Sequence, residues 1–317
     1  MIRLGTTSRI LGRSNLRTHD GRRAPGSASL GVGLLSLRDV FGYLRSQQIG
    51  CYRLHGELLP PELRADPEAA ARAIERAGEL LALLTEQAAC IRLTIHAGLA
   101  AALAAGDETS FARAGAELAA SALLLDALGA GAGPNAGAIV VHIGGEGADR
   151  PAAIERFCMR YERLSAGIRR HLVVEHDTTF PLADALLIHQ RTGVPVVFDL
   201  LHHRLMDPEQ IGVALARDLA LATWSAQRRR PKVHLSSQRT EGFLQPERAG
   251  HARQILAPRP GQHADFIAPD DALALLAAPL AVPFDVMIEA KAGDLALLRL
   301  REDLGRRGGA QLAERAV

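Results

Sequence analysis

The sequence predicts a single (β/α)8 barrel, the TIM-barrel form of the α/β class, on three observations. Short β-rich runs alternate eight times with Ala/Leu/Arg-rich helical stretches, and 317 residues suit one such barrel with insertions. Acidic and imidazole side chains also recur where the apolar runs stop, as they do where active groups collect at the C-terminal ends of barrel strands. The barrel is assigned to residues 1–305 and a C-terminal tail to 306–317. A doubly wound open sheet is the other architecture that this alternation permits.

The strand runs are 2–5, 50–54, 91–95, 138–141, 172–174, 194–198, 232–235 and 285–288. Runs such as the PVVF of 195–198 follow a Gly-Val-Pro turn and carry no polar alternation, the signature of strands covered on both faces in a parallel sheet. Helices are expected over 37–47, 67–87, 109–128, 151–168, 182–191, 208–226, 269–276 and 294–304. Asp66 before Pro67 and Asp207 before Pro208 are N-terminal signals, because proline suits the first turn and aspartate accepts its free N–H groups.

Composition narrows the function classes. The chain is 48% hydrophobic and 23% charged, as an ordinary globular protein is, and its formal net charge of +2 neither demands nor excludes a polyanionic partner. Cys51, Cys90 and Cys158 form no C-x-x-C pair, which fits reduced thiols in a cytoplasmic protein. The opening MIRLG lacks an apolar leader and no stretch reaches a membrane span, so neither export nor a membrane partner is expected.

The strand ends carry the chemistry. The proposed strands stop at His55, His96, His142, Glu175, Asp199, His234 and Glu289, with His176, Asp177, His202 and His203 close behind. Acids and imidazoles brought to one mouth are costly to bury unless a cation organises them. A set without thiolate suits Mn, Zn or Fe, and carboxylates able to bridge suit more than one ion. Lysine usage is a separate signal: of 37 Lys plus Arg residues only Lys232 and Lys291 are lysine, each two positions from a proposed ligand. A buried amine can lose its proton, whereas a guanidinium cannot. HIGGEG, 142–147, lacks both the Lys-Ser/Thr ending of a P-loop and a dinucleotide fingerprint, so it reads as a turn bringing the backbone close to the ions.

At this point the motifs carry a resemblance. IRLG, YRL with Pro60, IVVHIGG, VVEHD, VVFDLLHH, PKVHLSS, HAD and DVMIEAK, in this order from Ile2 to about Arg301, resemble the UV damage endonuclease family. The resemblance implies a TIM barrel related to endonuclease IV and the xylose-isomerase-like enzymes. It also implies two or three divalent ions, manganese foremost and zinc or iron as substitutes, and incision of damaged double-stranded DNA on the 5′ side of the lesion by a monomer. By the same resemblance His96, His142 and Glu175 hold one ion; Glu175, Asp199, His234 and Glu289 a second; His202 and His263 a third. Lys232 matches a lysine that can be carboxylated, and Lys232 and Glu175 take the catalytic roles, with Arg239, His203 and Lys291 as DNA contacts. Further arginines, Arg17, Arg22, Arg23, Arg248, Arg253 and Arg259, lie in loops that suit phosphate contact.

The chain departs from the family where the family probes its substrate. An aromatic after the first strand is replaced by Thr6, and the Gln and aromatic that follow the ligand histidine are replaced by Leu99 and Ala100. Phe180 and Phe243 are the aromatics expected at the mouth. Lesion preference is therefore expected to be weak or altered. A xylose-isomerase-like enzyme acting on a sugar or sugar phosphate, and a non-catalytic binding barrel, are the rival readings.

Overall fold

The computed structural model describes residues 2–16, 29–104, 106–145, 149–227, 229–245, 254–277, 280 and 282–308. Its strands are β1 (Arg3–Thr6), β2 (Cys51–Arg53), β3 (Arg92–His96), β4 (Ala138–His142), β5 (Leu172–Glu175), β6 (Val196–Asp199), β7 (Lys232–Leu235), β8 (Phe243–Gln245), β9 (Gln254–Leu256) and β10 (Asp285–Ile288). Eight of them, β1 to β7 and β10, close a barrel in chain order, every neighbouring pair parallel, and β10 seals it against β1. The β8–β9 pair is a separate antiparallel hairpin inserted after β7.

The helices are α1 (Leu30–Ser46), α2 (Pro61–Ala65), α3 (Pro67–Arg76), α4 (Gly78–Ala88), α5 (Glu108–Ala127), α6 (Arg150–Arg163), α7 (Ala166–Arg169), α8 (Leu182–Thr192), α9 (Leu200–Leu205), α10 (Val213–Ala222), α11 (Pro269–Leu276) and α12 (Asp294–Gly308). Several expected spans are corrected by local chemistry. α1 starts at Leu30 rather than 37 because Ser29 caps it, its hydroxyl accepting from the Val32 N–H. The stretch 67–87 divides at Ala77 before Gly78, and 151–168 divides at Ser165, whose side chain caps α7. Asp207 and Pro208 do not open α10. The Asp207 carboxylate accepts from the Ile211 N–H in a turn that puts Gln210 at φ 53°, and the helix begins at Val213.

Most of the core lies between the barrel wall and the helices. Inside the barrel, Ala138, Val140, Val173, Val197 and Trp224 form a separate apolar layer. Trp224 donates its indole N–H to the Val196 carbonyl at 2.8 Å, and the Arg92 guanidinium lies 5.5 Å from the indole centroid. Next to it Asp285 binds three arginines: Arg3 Nε at 2.7 Å, Arg92 Nη1 at 2.9 Å and Arg230 Nε at 2.7 Å. The Arg92 and Asp285 side chains are wholly buried.

Burial opposes ionisation of Asp285, but Arg92 and Arg3 overcome it and hold the carboxyl below its ordinary range. Asp285→Ala should therefore cost about 3–5 kcal/mol of unfolding free energy in urea, since it leaves a buried guanidinium unpaired. A loss under about 1 kcal/mol would contradict this role. Because the folded-state pKa is depressed, the contribution of Asp285 is complete at neutral pH and fades as pH falls from about 4 through the lower folded value. Asp285→Asn should lose less stability than the parent over that interval.

Candidate metal centre

Side chains of alternating strand residues point to the barrel axis, so the last inward position of each strand lies at one height. Arg53, His96, His142, Glu175, Asp199 and His234 end or nearly end six strands, and Glu289 follows β10. His142 is the register partner of Glu175, and Asp199 that of His234.

Glu175 is the hub. Its Oε2 lies 3.0 Å from His96 Nε2 and 4.0 Å from His142 Nε2, and its Oε1 lies 2.8 Å from His234 Nδ1 and 3.7 Å from His202 Nδ1. Glu289 Oε1 is 3.1 Å from His234 Nδ1, and its Oε2 is 3.9 Å from His263 Nδ1. Two ligand groups result, His96–His142–Glu175 and Glu175–Asp199–His234, each with one donor atom per residue within 4.8 Å of the others. Glu175 belongs to both, one carboxylate oxygen facing each side.

The donors fit a cation. One Asp199 oxygen, Oδ1, accepts the His202 N–H at 2.8 Å and caps α9, while Oδ2 is buried without a hydrogen-bond partner. The buried Asp199 backbone N–H is accepted by His176 Nε2 at 3.0 Å, which fixes that ring as a neutral acceptor. A buried carboxylate oxygen aimed at imidazoles and other acids, with no donor of its own, is satisfied by a metal ion and by little else in the set.

Electrostatics follow from burial. Asp199 is pushed up to about 7 by burial, against the pull of His202. Burial lowers His234 and His176 to about 3, which keeps both rings neutral. For Glu175 burial is outweighed by His234 and His96, and the carboxyl is held well below its ordinary range. For Glu289 burial is outweighed by Arg53 and His234, again lowering the carboxyl. Burial and then Arg53 lower Lys232 to about 7, and its Nζ is buried with no hydrogen-bond partner. Around His142 burial is overcome by Asp177, 3.2 Å away, and Glu175, raising it to about 9.

Other expected positions are revised. His55 does not enter the ring; its Nδ1 accepts from the Glu57 N–H at 3.1 Å in the turn beyond β2. His203 does not reach solvent as a DNA contact, being 2% exposed with Nε2 on the Ile211 carbonyl at 2.8 Å. Arg239 is tied to Asp265 at 3.7 Å and to the Glu241 carbonyl, whereas Lys291 is exposed. Phe180 is fully buried and offers no stacking face. His202 and His263 flank the hub, but they form no separate ligand group among the described residues. Leu99 stands 77% exposed on a 3-10 turn, Leu99–Ala101, beside His96. Gly145, at φ 88°, lets the turn after β4 approach the Ala104 carbonyl, which an added Cβ would meet at 3.2 Å. The side chain of Phe243, and Arg17, Arg22, Arg23, Gly147, Arg248, Arg253 and the tail beyond 308, lie outside the described residues.

Sequence reading missed Arg53. Its Nη2 lies 3.1 Å from His234 Nε2 and donates to Glu289 Oε1. The signal was present: in a strand ending at 53, Arg53 and not His55 is the last side chain to face the axis.

Known proteins resemble this chain in sequence and in fold. The family model described as UV-endonuclease UvdE matches residues 30–313. A UV DNA damage endonuclease of Bacillus cereus is 35% identical over 182 residues, covering 57% of this chain and 52% of that protein. One of Bacillus pumilus is 30% identical over 167 residues, covering 52% and 47%. The chain thus spans about half the length of the curated relatives it matches. The crystal structure of SacUVDE superposes with a TM-score of 0.70 over 96% of this chain and 99% of that one, at 22% identity, a likeness of fold. A candidate sugar phosphate isomerase/epimerase of Anabaena variabilis shares the barrel at a TM-score of 0.51 and 12% identity, over 92% and 84%.

Because both ligand groups share Glu175, its removal should weaken both. Elemental analysis after Mn loading should find at least two ions per chain in the parent and at most one in Glu175→Ala. Equal uptake by the two proteins would show that the carboxylate is not the bridge.

Proposed function

The chain belongs to the UV-endonuclease UvdE family, and from that premise we propose that it is a metal-dependent DNA endonuclease cutting 5′ to a lesion in duplex DNA. The observation that carries this reading is the shared Glu175: one buried carboxylate turned to two ligand groups is the arrangement of a multinuclear phosphodiesterase centre. In this proposal His96 and His142 hold one ion with Glu175, and Asp199, His234 and Glu289 hold a second. His202 and His263 stand ready as donors to a third. Manganese is the ion proposed, with zinc or iron as substitutes. Such ions supply charge neutralisation on the phosphodiester and activation of the attacking water.

The protein's own groups supply the rest. Asp177 stands 3.2 Å from His142 Nδ1, an ion-pair contact that favours the ring's present orientation toward Glu175. Asp199 fixes α9 through the His202 N–H and keeps Oδ2 directed into the ring. Lys232 offers a buried amine without a hydrogen-bond partner, lowered to about 7 chiefly by burial, which is the state that reacts with carbon dioxide to form a carbamate. Carboxylation there would add one more anionic oxygen pair to the site. Hydrolysis adds water oxygen to phosphorus as the bond to the 3′-oxygen breaks, leaving a 3′-hydroxyl and a 5′-phosphate. Exposed Lys291 and, at the rim, Arg239 are the proposed phosphate contacts. The protein is proposed to act as a cytoplasmic monomer; no described helix is long and apolar enough to cross a membrane.

Incubating the purified, Mn-loaded protein with a labelled duplex carrying one photoproduct tests the reading. Incision at the 5′ side of the lesion is expected, and an intact strand under conditions where the metal is bound would overturn it. Lys232→Arg should reduce that rate far more than an exposed Lys→Arg change does, since a guanidinium cannot be carboxylated. An unchanged rate would make Lys232 an ordinary strand residue.

Lesion preference should follow Leu99 and Ala100. Each absent stacking contact forfeits roughly 1–3 kcal/mol per base. Abasic or locally open DNA, where unstacking costs least, should be cut in preference to a dimer in paired duplex. Comparing kcat/KM on both substrates, and again in Leu99→Gln with Ala100→Tyr, should show the dimer gaining in the double variant. Equal selectivity of the two proteins would remove Leu99 and Ala100 from lesion probing.

A further inference from the structure

Arg53 is the one guanidinium within hydrogen-bonding distance of the ligand set among the described residues. It reaches the set from β2, a strand that supplies no donor to either ligand group. Its side chain is 14% exposed, and it meets two proposed ligands at once: Glu289 Oε1, which accepts from Nη2, and His234 Nε2, 3.1 Å from the same nitrogen. A guanidinium keeps its proton and can only donate. His234 Nε2 must therefore be the lone-pair nitrogen, and the neutral ring carries its proton on Nδ1, facing Glu175 Oε1 at 2.8 Å.

That tautomer is incompatible with metal binding at either nitrogen. Ligation through Nδ1 requires the proton on Nε2, where it would point at the Arg53 donor. Ligation through Nε2 requires the direction that Arg53 Nη2 occupies at 3.1 Å. Glu289 adds competition rather than a block: the Oε1 that lies 3.1 Å from His234 Nδ1 already accepts from Arg53, so an ion there would share that oxygen with the guanidinium. Meanwhile three carboxylates, Glu175, Asp199 and Glu289, share the ring, and Arg53 offsets their repulsion.

We propose that Arg53 is a displaceable counter-cation, paired with Glu289 and His234 until a divalent ion takes those two ligands and turns the guanidinium away. The inference rests on the metal-centre reading above. Arg53 so placed competes with the metal, in contrast to a residue that orients Glu289 as a ligand and would raise metal affinity.

Titration of Mn2+ into chelator-stripped protein, followed by calorimetry and by the Mn2+ spin-resonance signal, separates the two roles without any nuclease assay. Arg53→Met should bind Mn2+ at least about tenfold more tightly than the parent, the scale of one charged hydrogen bond. Arg53→Lys keeps the charge but cannot span both partners, and should fall between them; it serves if the methionine variant does not fold. Equal or weaker binding by the variants overturns the inference while leaving the metal centre in place. Absence of uptake by every form removes both.

Discussion

A single buried carboxylate organises the mouth of this barrel. Glu175 is 1% exposed, and its two oxygens meet imidazoles from β3 and β7 at hydrogen-bond distance, with those of β4 and α9 just beyond. A lone carboxylate at that depth would be strongly disfavoured. Its ionisation is sustained by a ring of donors that only a closed parallel barrel brings together, because each comes from a different strand at the same height. Conversely, the ring is tolerable only with positive charge near it, which Arg53 supplies from within the protein and divalent ions would supply in the proposed enzyme.

Depth also separates function from stability along the barrel axis. The mouth carries a group with its partner unmade: Asp199 Oδ2 is buried without a hydrogen bond. Toward the N-terminal ends of the strands Asp285 is paired with three arginines, and Trp224 packs with the small aliphatic residues Ala138, Val140, Val173 and Val197. The charged groups paired with Asp285 fix the fold. Those at the mouth are left to be matched by something that binds.

Much of this was legible in the sequence, and for a physical reason. Buried parallel strands read as continuous apolar runs, so their ends are sharply marked, and His96, His142, Glu175, Asp199, His234 and Glu289 were found from that punctuation. Punctuation misleads where it and the pleat disagree. His55 looked like the end of the second strand, but the strand stops at Arg53, and the extra residues turn the imidazole into a loop acceptor. His203 lies in a motif shared with His202, yet the six-residue helix α9 rotates the two apart, one toward Glu175 and the other into the packing of Phe198. Neither the helix nor the β8–β9 hairpin has an apolar period long enough to be seen in sequence.

In the proposed enzyme Glu175 joins two metal positions, and anomalous scattering from Mn-soaked crystals would test that most directly. Two strong peaks should appear at the barrel mouth, one among His96, His142 and Glu175 and one among Glu175, Asp199, His234 and Glu289, each within ligand distance of a different Glu175 oxygen. Peaks elsewhere on the surface, or a loaded crystal with density at the mouth explained by Arg53 and ordered water alone, would contradict it.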